Sequence, residues 1–220
     1  MAILDAVKLR VYNIALTRHL GSRKLSSLTE NREPRRVLDD IWGDSNEAVT
    51  YCLSKGDWNF GTRSIKLEYD PALEPSFGMR RVYVKPTDLV RLTTISADEY
   101  FSVPMVASEY ADEGPYWITD HQDIYLRFVS SRDDFGFDSS LWSEPFTQYL
   151  GAYLAHEGCE RITNSNSKMS IIYQRMMEAL KHVRSRDAMD EGVKFAPTGS
   201  WVSARGDNRR DRGNRGSLTG

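Results

Sequence analysis

The chain has 220 residues, of which 40% are apolar and 27% are charged, and its net charge is −2. This length suits one compact domain, or one helical body that carries a small extra lobe. A dedicated duplex-DNA binder usually shows a basic surplus, which this chain as a whole lacks. No window approaches the ~18 consecutive apolar residues of a membrane span.

The amino-terminal segment is predicted to form two helices, because its apolar residues recur at three- and four-residue steps. The first helix runs to about Leu20 and stops at Gly21. Pro34 suits the first turn of the second helix, which is predicted to end near Gly56. Gly43 lies inside the second helix and marks the place for a kink.

Residues 58–135 differ in pattern from the amino-terminal helical segment. Glycine, proline and aspartate separate short runs that are rich in β-branched and aromatic side chains. Alternating apolar and polar residues predict strands over 64–69, 81–85 and 123–129. One more strand is expected over 100–106, at a sheet edge because Pro104 has no backbone donor. We therefore predict a small antiparallel lobe inserted between helices.

Two further helices are predicted after the β region. A broad apolar stripe begins at Leu141, with Ser139 or Ser143 as the N-cap and Pro145 in the first turn. The polar stretch 164–167 offers N-caps for the last long helix, which extends to about Glu191.

The predicted fold class is α+β, with an antiparallel bundle of about four helices and an inserted β lobe. The helical body covers 1–57 and 138–191, the β-rich lobe covers 58–137, and an extended arm covers 192–220. From Arg205 onward the arm holds five arginines, two aspartates and four glycines. Such a composition does not offset its ordering entropy without a partner, so we expect a flexible C-terminal arm.

Large apolar side chains on such an arm predict an anchor for a neighbouring subunit or a docking partner. The other interpretation is that Trp201 folds back onto the helices of its own chain. Nucleic acid contact through the arginines is a third interpretation. The residues expected to carry docking are Phe195, Trp201, Val202, Arg205, Arg209 and Arg210.

The sequence offers little catalytic chemistry. It contains no glycine-rich phosphate loop, no nucleophile elbow and no H-E-x-x-H zinc motif. His156 and Glu160 would share a helix face, but a zinc protease needs a second histidine at the latter position, so no metal site is expected. The widely spaced Cys52 and Cys159 predict two reduced, buried thiols in a cytosolic protein.

Paired carboxylates are the remaining catalytic candidates, since a glycosidase needs an acid and a base on either side of the bond it cleaves. We interpret them as solvated faces and turns, and expect neither enzymatic activity nor a cofactor. The pairs are Asp39-Asp40, Asp112-Glu113 and Asp133-Asp134.

Several short segments occur in an order that suggests a family. They include Tyr12 to Leu16, Trp58-Asn59-Phe60-Gly61, a Y-x-x-P-x-D-x-x-R stretch from Tyr83 to Arg91, and Gly199 to Arg205. In this order the chain resembles the tail tubular protein A family, the head-to-tail adaptors of short-tailed bacteriophages (podoviruses). Gly61, where that family has alanine, and the longer arginine-rich extension are departures from its pattern.

The resemblance implies a structural virion protein, assembled in the host cytoplasm and located in the neck or tail of the particle. Twelve identical subunits would form a ring, a dodecameric head–tail connector between the portal protein and the tail nozzle protein. Double-stranded DNA would pass non-specifically through the central channel during ejection, and no membrane would be involved. The helices would form the ring wall, and the β lobe would project from it.

A closed ring needs heterologous contacts between identical subunits, and such interfaces favour aromatic side chains and methionine. The closing helices are rich in these types, but the same residues also have to fill the core of the subunit. The sequence does not apportion them: Trp142, Phe146, Tyr149, Tyr153, Tyr173, Met176 and Met177.

Three other functions stay open at this stage. A nucleic-acid-binding protein with a basic tail would bind DNA in a salt-sensitive way. A tail-associated peptidoglycan hydrolase would turn over cell wall, and a carboxylate substitution would abolish that turnover. A structural protein elsewhere in the virion, such as a head completion or neck factor, is the third.

Overall fold

A computed structural model describes residues 2–75 and 78–190, which fall within one compact unit, Met1–Asp190. The fold is α+β, as predicted. The described residues form five α-helices: α1 (Ala2–Ile14), α2 (Glu33–Trp42), α3 (Glu47–Leu53), α4 (Glu144–Thr163) and α5 (Asn166–Asp190). They also form six strands: β1 (Thr62–Glu68), β2 (Arg81–Val84), β3 (Leu89–Ser96), β4 (Tyr110–Glu113), β5 (Tyr116–Thr119) and β6 (Asp123–Ser130). None of these helices is long and apolar enough to cross a bilayer.

The second predicted helix is wrong as one unit, because the chain breaks after Trp42 and makes α2 and α3. Gly43 has φ +76° and ψ 156°, a conformation that glycine adopts at little cost, and Asn46 is left-handed. The Trp42 indole N–H donates to the Asn46 side chain at 2.8 Å across the break. The break raises the number of α-helices from about four to five.

The predicted helix ends are confirmed elsewhere. The first helix finishes in a π-helical segment, Ala15–Leu20, and stops at the left-handed Gly21. Pro34 lies in the first turn of α2, and Pro145 lies in the first turn of α4. Of the two N-cap candidates for α4 the structure selects Ser143, whose hydroxyl accepts from the Phe146 amide.

Two three-stranded antiparallel sheets make up the β region, with strand orders β1-β6-β3 and β2-β5-β4. The three alternating segments predicted as strands correspond to β1, β2 and β6. Ile65 pairs with Leu126 in the first sheet, and Tyr83 pairs with Trp117 in the second. The strands β3, β4 and β5 were not predicted, because the partly exposed, polar residues of β3 and β4 do not alternate cleanly and β5 is a run of four residues that are mostly buried.

The predicted strand over 100–106 is wrong. Within this stretch Pro104 makes a single bridge with Ser96, and the rest forms a loop. The Asp98 carboxylate accepts from the amides of Tyr100 and Ser102, which turns the chain back, and Phe101 has φ +54°. These local bonds replace the ladder of hydrogen bonds that a strand would need.

The buried side chains form two clusters. The larger cluster lies among the helices and includes Trp42, Trp58, Phe146 and Tyr149. The smaller cluster lies between the sheets and includes Tyr83, Trp117 and Phe128. The start of β3 and the end of β6 belong to the larger cluster, because Val90 and Val129 pack on the helices.

Candidate subunit-interaction surface

The segment Trp58-Asn59-Phe60-Gly61 joins the helices to the first sheet. The Trp58 indole N–H, buried, donates to the carbonyl of Leu53 at 2.9 Å, and its ring meets Phe146 edge-on at 5.3 Å. The Asn59 amide side chain donates to the carbonyl of Asp187 on α5 at 2.8 Å. The segment thus ties α3, α4 and α5 together just before β1 begins.

Two residues of the Y-x-x-P-x-D-x-x-R stretch have a similar joining role. The Asp88 carboxylate accepts from the Arg63 guanidinium at 2.8 Å and from the Ser130 hydroxyl at 2.5 Å, linking the start of β3 to β1 and β6. Arg91 donates to the Asp57 carboxylate at 2.9 Å and connects β3 with the end of α3. Partial burial raises the pKa of Asp88, but the bonds from Ser130 and Arg63 outweigh it and hold that pKa below its ordinary value.

The structure apportions the aromatic and methionine side chains of the closing helices. Four of them fill the core: Trp142, Phe146, Tyr149 and Met176 are all buried. Tyr173 and Met177 lie on the outer side of α5 and are 47% and 44% exposed, and Tyr153 is partly buried on α4. Only the second group remains available for a contact with another molecule.

These outward side chains belong to a continuous surface across three helices, which we call the aromatic strip: Tyr51, Tyr153, His156, Tyr173 and Met177. The rings of Tyr51 and Tyr153 stack with centroids 4.7 Å apart, and the rings of His156 and Tyr173 lie 5.4 Å apart. Met177 follows Tyr173 by one helical turn. Sequence analysis missed Tyr51, which is 42% exposed; its spacing of four from Lys55 was the available signal.

Basic groups border the aromatic strip. The Lys55 ammonium lies 4.1 Å from the centroid of the Tyr51 ring, a cation–π geometry. Lys181 is exposed one turn beyond Met177, and the Arg184 guanidinium donates to the carbonyl of Lys55 at 2.7 Å. An apolar centre within a charged border is the usual anatomy of a protein–protein interface.

A second exposed apolar group lies at the far end of the β region, on the loop formed by residues 97–109. Its side chains Tyr100, Val103 and Val106 are 78%, 72% and 57% exposed. Single exposed apolar residues are common, but three on one ordered loop form a patch that suits a contact. Sequence analysis placed these residues in a strand and so did not identify the patch.

Hydrogen bonds within the 97–109 loop fix its shape. The Ser96 hydroxyl donates to the carbonyl of Val103 at 2.9 Å, and the Val106 amide donates to the Glu109 carboxylate at 2.9 Å. Met105 points inward and is buried in the smaller core. The Arg127 guanidinium lies 4.5 Å from the centroid of the Phe101 ring. The loop therefore holds its apolar tip in one conformation.

In each of the three acidic pairs at least one carboxylate has a side-chain partner, and in the third pair it is Asp134, which lies 3.3 Å from the Arg132 guanidinium. The Asp39 carboxylate accepts from the Tyr12 hydroxyl at 2.8 Å and from Arg35, which fastens α1 to α2, so its interpretation as a solvated face is wrong. The Asp112 carboxylate binds the Lys85 ammonium and accepts from the Trp117 indole N–H. Asp133 and Asp134 are exposed in the turn after β6, as predicted.

The predicted buried thiols are confirmed for Cys52 and Cys159, which are free and buried. Desolvation in the core raises the pKa of the Cys52 thiol well above its ordinary range, so this thiol stays protonated. His156 faces Tyr173 and binds the Glu157 carboxylate at 2.9 Å. Across residues 2–75 and 78–190, no three His, Cys, Asp or Glu side chains converge as a metal site would require.

His19 lies in a groove between the π-helical segment, α4 and α5, with Arg175 and His182 also in its lining. The imidazole is partly buried, and its Nδ1 has no hydrogen-bond partner in the described chain. Burial chiefly, together with the charges of Arg175 and Arg18, lowers the pKa of His19 below its ordinary value of 6.5. The folded protein therefore favours the neutral imidazole.

This shift predicts a stability that depends on pH. Below pH 6.5 the unfolded chain binds a proton at His19 that the folded chain does not, so the free energy of unfolding should decrease as the pH falls from 6.5 towards the lower folded pKa. Urea denaturation at about pH 7.5 and about pH 5.5, for the native chain and for His19→Gln, measures the effect. An equal decrease in both proteins would contradict the assignment to His19.

The sequence matches no model of a known protein family, and no curated protein is significantly similar to it. The six residues expected to carry docking on the arm lie outside the described residues: Phe195, Trp201, Val202, Arg205, Arg209 and Arg210. The candidate surface of the described chain is therefore the aromatic strip, with the 97–109 loop as a second patch.

Proposed function

We propose that this chain is a structural virion protein that forms an adaptor ring between the portal and the tail nozzle of a short-tailed phage. The observation that carries the proposal is the aromatic strip, an apolar surface with a basic border on the wall of the helical bundle. All of its residues except Tyr51 of α3 come from the closing helices, in which the ring contacts are expected. The ordered similarity to the tail tubular protein A family supports the same role.

The firm attachment of the β region to the helices also suits a ring subunit. The Arg91, Trp58 and Asn59 contacts hold the first sheet and the segment before it against α3 and α5, and the Asp88 contacts join the strands of that sheet. A subunit that transmits force along a DNA channel has to keep its parts in fixed positions. The residues that resemble the family pattern make these joints.

A nucleic-acid-binding role is less well supported by the described surface. Single-stranded nucleic acid binds through free aromatic faces beside cations. The Tyr51 ring is already stacked on Tyr153 and lies beneath Lys55. Asp39 and Asp112 are poor candidates for the catalytic groups of a hydrolase. Tyr12 and Arg35 bind the Asp39 carboxylate, and Lys85 binds the Asp112 carboxylate.

The adaptor role is tested by mixing the purified chain with the portal protein of the same phage. We expect co-sedimentation with portal rings and a ring of added density at one end of the portal in electron micrographs. A chain that leaves portal rings undecorated at high concentration would contradict the proposed function.

We also propose that the arm orders when it docks on the portal, since a segment that folds on docking delays assembly until its partner is present. Deletion of residues 193–220 should leave the rest of the chain folded, with an unchanged urea midpoint, and should abolish co-sedimentation with the portal. Normal co-sedimentation of the shortened chain would show that the arm is not the docking element.

A further inference from the structure

Charge is segregated along this chain. Residues 92–126 contain seven acidic side chains and no lysine or arginine: Asp98, Glu99, Glu109, Asp112, Glu113, Asp120 and Asp123. Residues 161–186 contain one acidic side chain, Glu178, and six basic ones: Arg161, Lys168, Arg175, Lys181, Arg184 and Arg186. The first segment carries the 97–109 loop, and the second segment includes most of α5. The loop therefore belongs to an acidic segment and most of α5 belongs to a basic one, while Arg127 lies beside Phe101 of the loop and Glu157 lies beside His156 of the aromatic strip.

The two patches also differ in shape. The loop presents Tyr100, Val103 and Val106 at the tip of a short excursion between β3 and β4. The aromatic strip is spread over the sides of three packed helices, with Tyr173 and Met177 half-exposed at its edge. A projecting apolar tip can dock against a broad apolar face.

The loop lies beyond the contact between the sheet and the helices. The Thr93 hydroxyl donates to the Asp57 carboxylate at 3.2 Å, so this part of β3 touches the end of α3. Ser96 lies three residues further along β3, and a strand rises about 3.3 Å per residue, so the loop begins about 10 Å beyond that contact. Such a position favours a contact with a neighbouring molecule.

From these observations we infer that the 97–109 loop of one copy docks on the aromatic strip of a second copy. The apolar tip would cover Tyr173 and Met177, and Glu99 would approach the basic border at Lys55 and Lys181. The contact is heterologous, because each copy offers its loop to one neighbour and its strip to another, and such contacts generate rings. This inference rests on the proposed ring function and names the surfaces that form the ring.

The fixed shape of the loop favours the contact energetically. The bonds from Asp98 to the amides of Tyr100 and Ser102 order the loop before it meets a partner. Docking a preorganised segment avoids most of the entropy loss that a flexible loop would suffer. Charge complementarity then orients the encounter and raises its rate at low salt.

Disulfide trapping in the full-length chain tests the contact. Val103→Cys in one preparation is mixed with Met177→Cys in another under mild oxidation, and the native Cys52 and Cys159 are buried and do not compete. We expect several-fold more cross-linked heterodimer than with the matched control, Val103→Cys mixed with Asp133→Cys, whose cysteine lies on an exposed turn. A chain that carries both Val103→Cys and Met177→Cys should give a ladder of multimers.

A yield of cross-linked heterodimer no higher than that of the control would overturn the inference that the loop docks on the aromatic strip. As an independent measurement, Val103→Glu should weaken self-association in sedimentation experiments at least about tenfold, because it buries a charge at the apolar tip. An unchanged association constant for a folded Val103→Glu chain would also overturn it. If Tyr173→Ala instead impairs binding of a single-stranded oligonucleotide while no heterodimer forms, the strip serves nucleic acid and the contact is wrong.

The portal assay separates this contact from the proposed function. Co-sedimentation with portal rings without the heterodimer would leave the adaptor role standing and would place the ring contact elsewhere. Cross-linked multimers that do not bind the portal would support the contact and contradict the adaptor role.

Discussion

Replacement of Trp58 by alanine is expected to lower the free energy of unfolding by about 3–5 kcal/mol. The indole is 1% exposed, packs against Phe60 and Phe146, and donates to the Leu53 carbonyl. Alanine would leave a cavity where α3, α4 and the first sheet meet, and would remove the indole's hydrogen bond to the Leu53 carbonyl. Since whole domains are stable by only about 5–15 kcal/mol, the variant should be marginally folded at best.

Urea denaturation of the full-length chain measures this loss, and Trp58→Phe is the matched control. Phenylalanine keeps most of the apolar volume and removes the N–H donor, so we expect a decrease of about 2 kcal/mol. If the alanine variant lost no more stability than the phenylalanine variant, Trp58 would not be the joint that its contacts indicate.

Replacement of Gly136 by alanine should lower the free energy of unfolding by a similar amount, through a steric clash instead of a cavity. A Cβ atom at this position would lie 2.2 Å from the Ser130 carbonyl oxygen and 2.7 Å from a methyl group of Leu53. The Gly136 amide also donates to that same Ser130 oxygen, and its carbonyl accepts from the Trp142 indole. The backbone has no room to move without breaking these bonds, so we expect a loss of about 3 kcal/mol.

Gly21→Ala provides the control for the Gly136 prediction. Gly21 has φ +67°, and no heavy atom of the described chain would lie within 4 Å of an added Cβ. Gly21→Ala should therefore lower the free energy of unfolding through backbone strain alone, by about 1 kcal/mol. Unfolding midpoints of the two variants compare a steric clash with conformational strain, and equal losses would show that the close approach at Gly136 relaxes easily.

Both positions matter for the proposed function, because they lie where the sheets meet the helices. Trp58 and Gly136 surround Leu53 at the end of α3, and the Arg91 and Thr93 side chains bind the adjacent Asp57. A loosened joint would let the 97–109 loop move relative to the aromatic strip. Variants that keep the fold but loosen this joint should therefore weaken self-association even though neither residue is exposed.

The inferred contact between copies should be sensitive to ionic strength. The loop side of the contact is acidic and the α5 side is basic, so salt should screen the attraction and slow association. The apolar centre of the contact does not depend on salt in this way. Dissociation rates should therefore change little with ionic strength, while association rates fall.

The sequence by itself determined the α+β class and most element ends, because these depend on local chemistry. Gly21 supplies a left-handed residue, Pro34 fits only a first helical turn, and the Ser143 hydroxyl caps an amide two or three residues ahead. The alternation in β1 and β6 likewise reports two faces that differ in burial. Such signals act over a few residues and need no knowledge of the rest of the chain.

Only the tertiary structure decided which apolar side chains of α5 are core and which are surface. Ile172 and Met176 face α4 and are buried, whereas Tyr173 and Met177, each the next residue along, are half-exposed. The sequence shows one broad apolar arc there, and its spacing does not mark which side is buried. The position of α4 divides that arc into core and surface. The loop that contains residues 100–106 is also fixed by tertiary structure, because Met105 is buried in the smaller core.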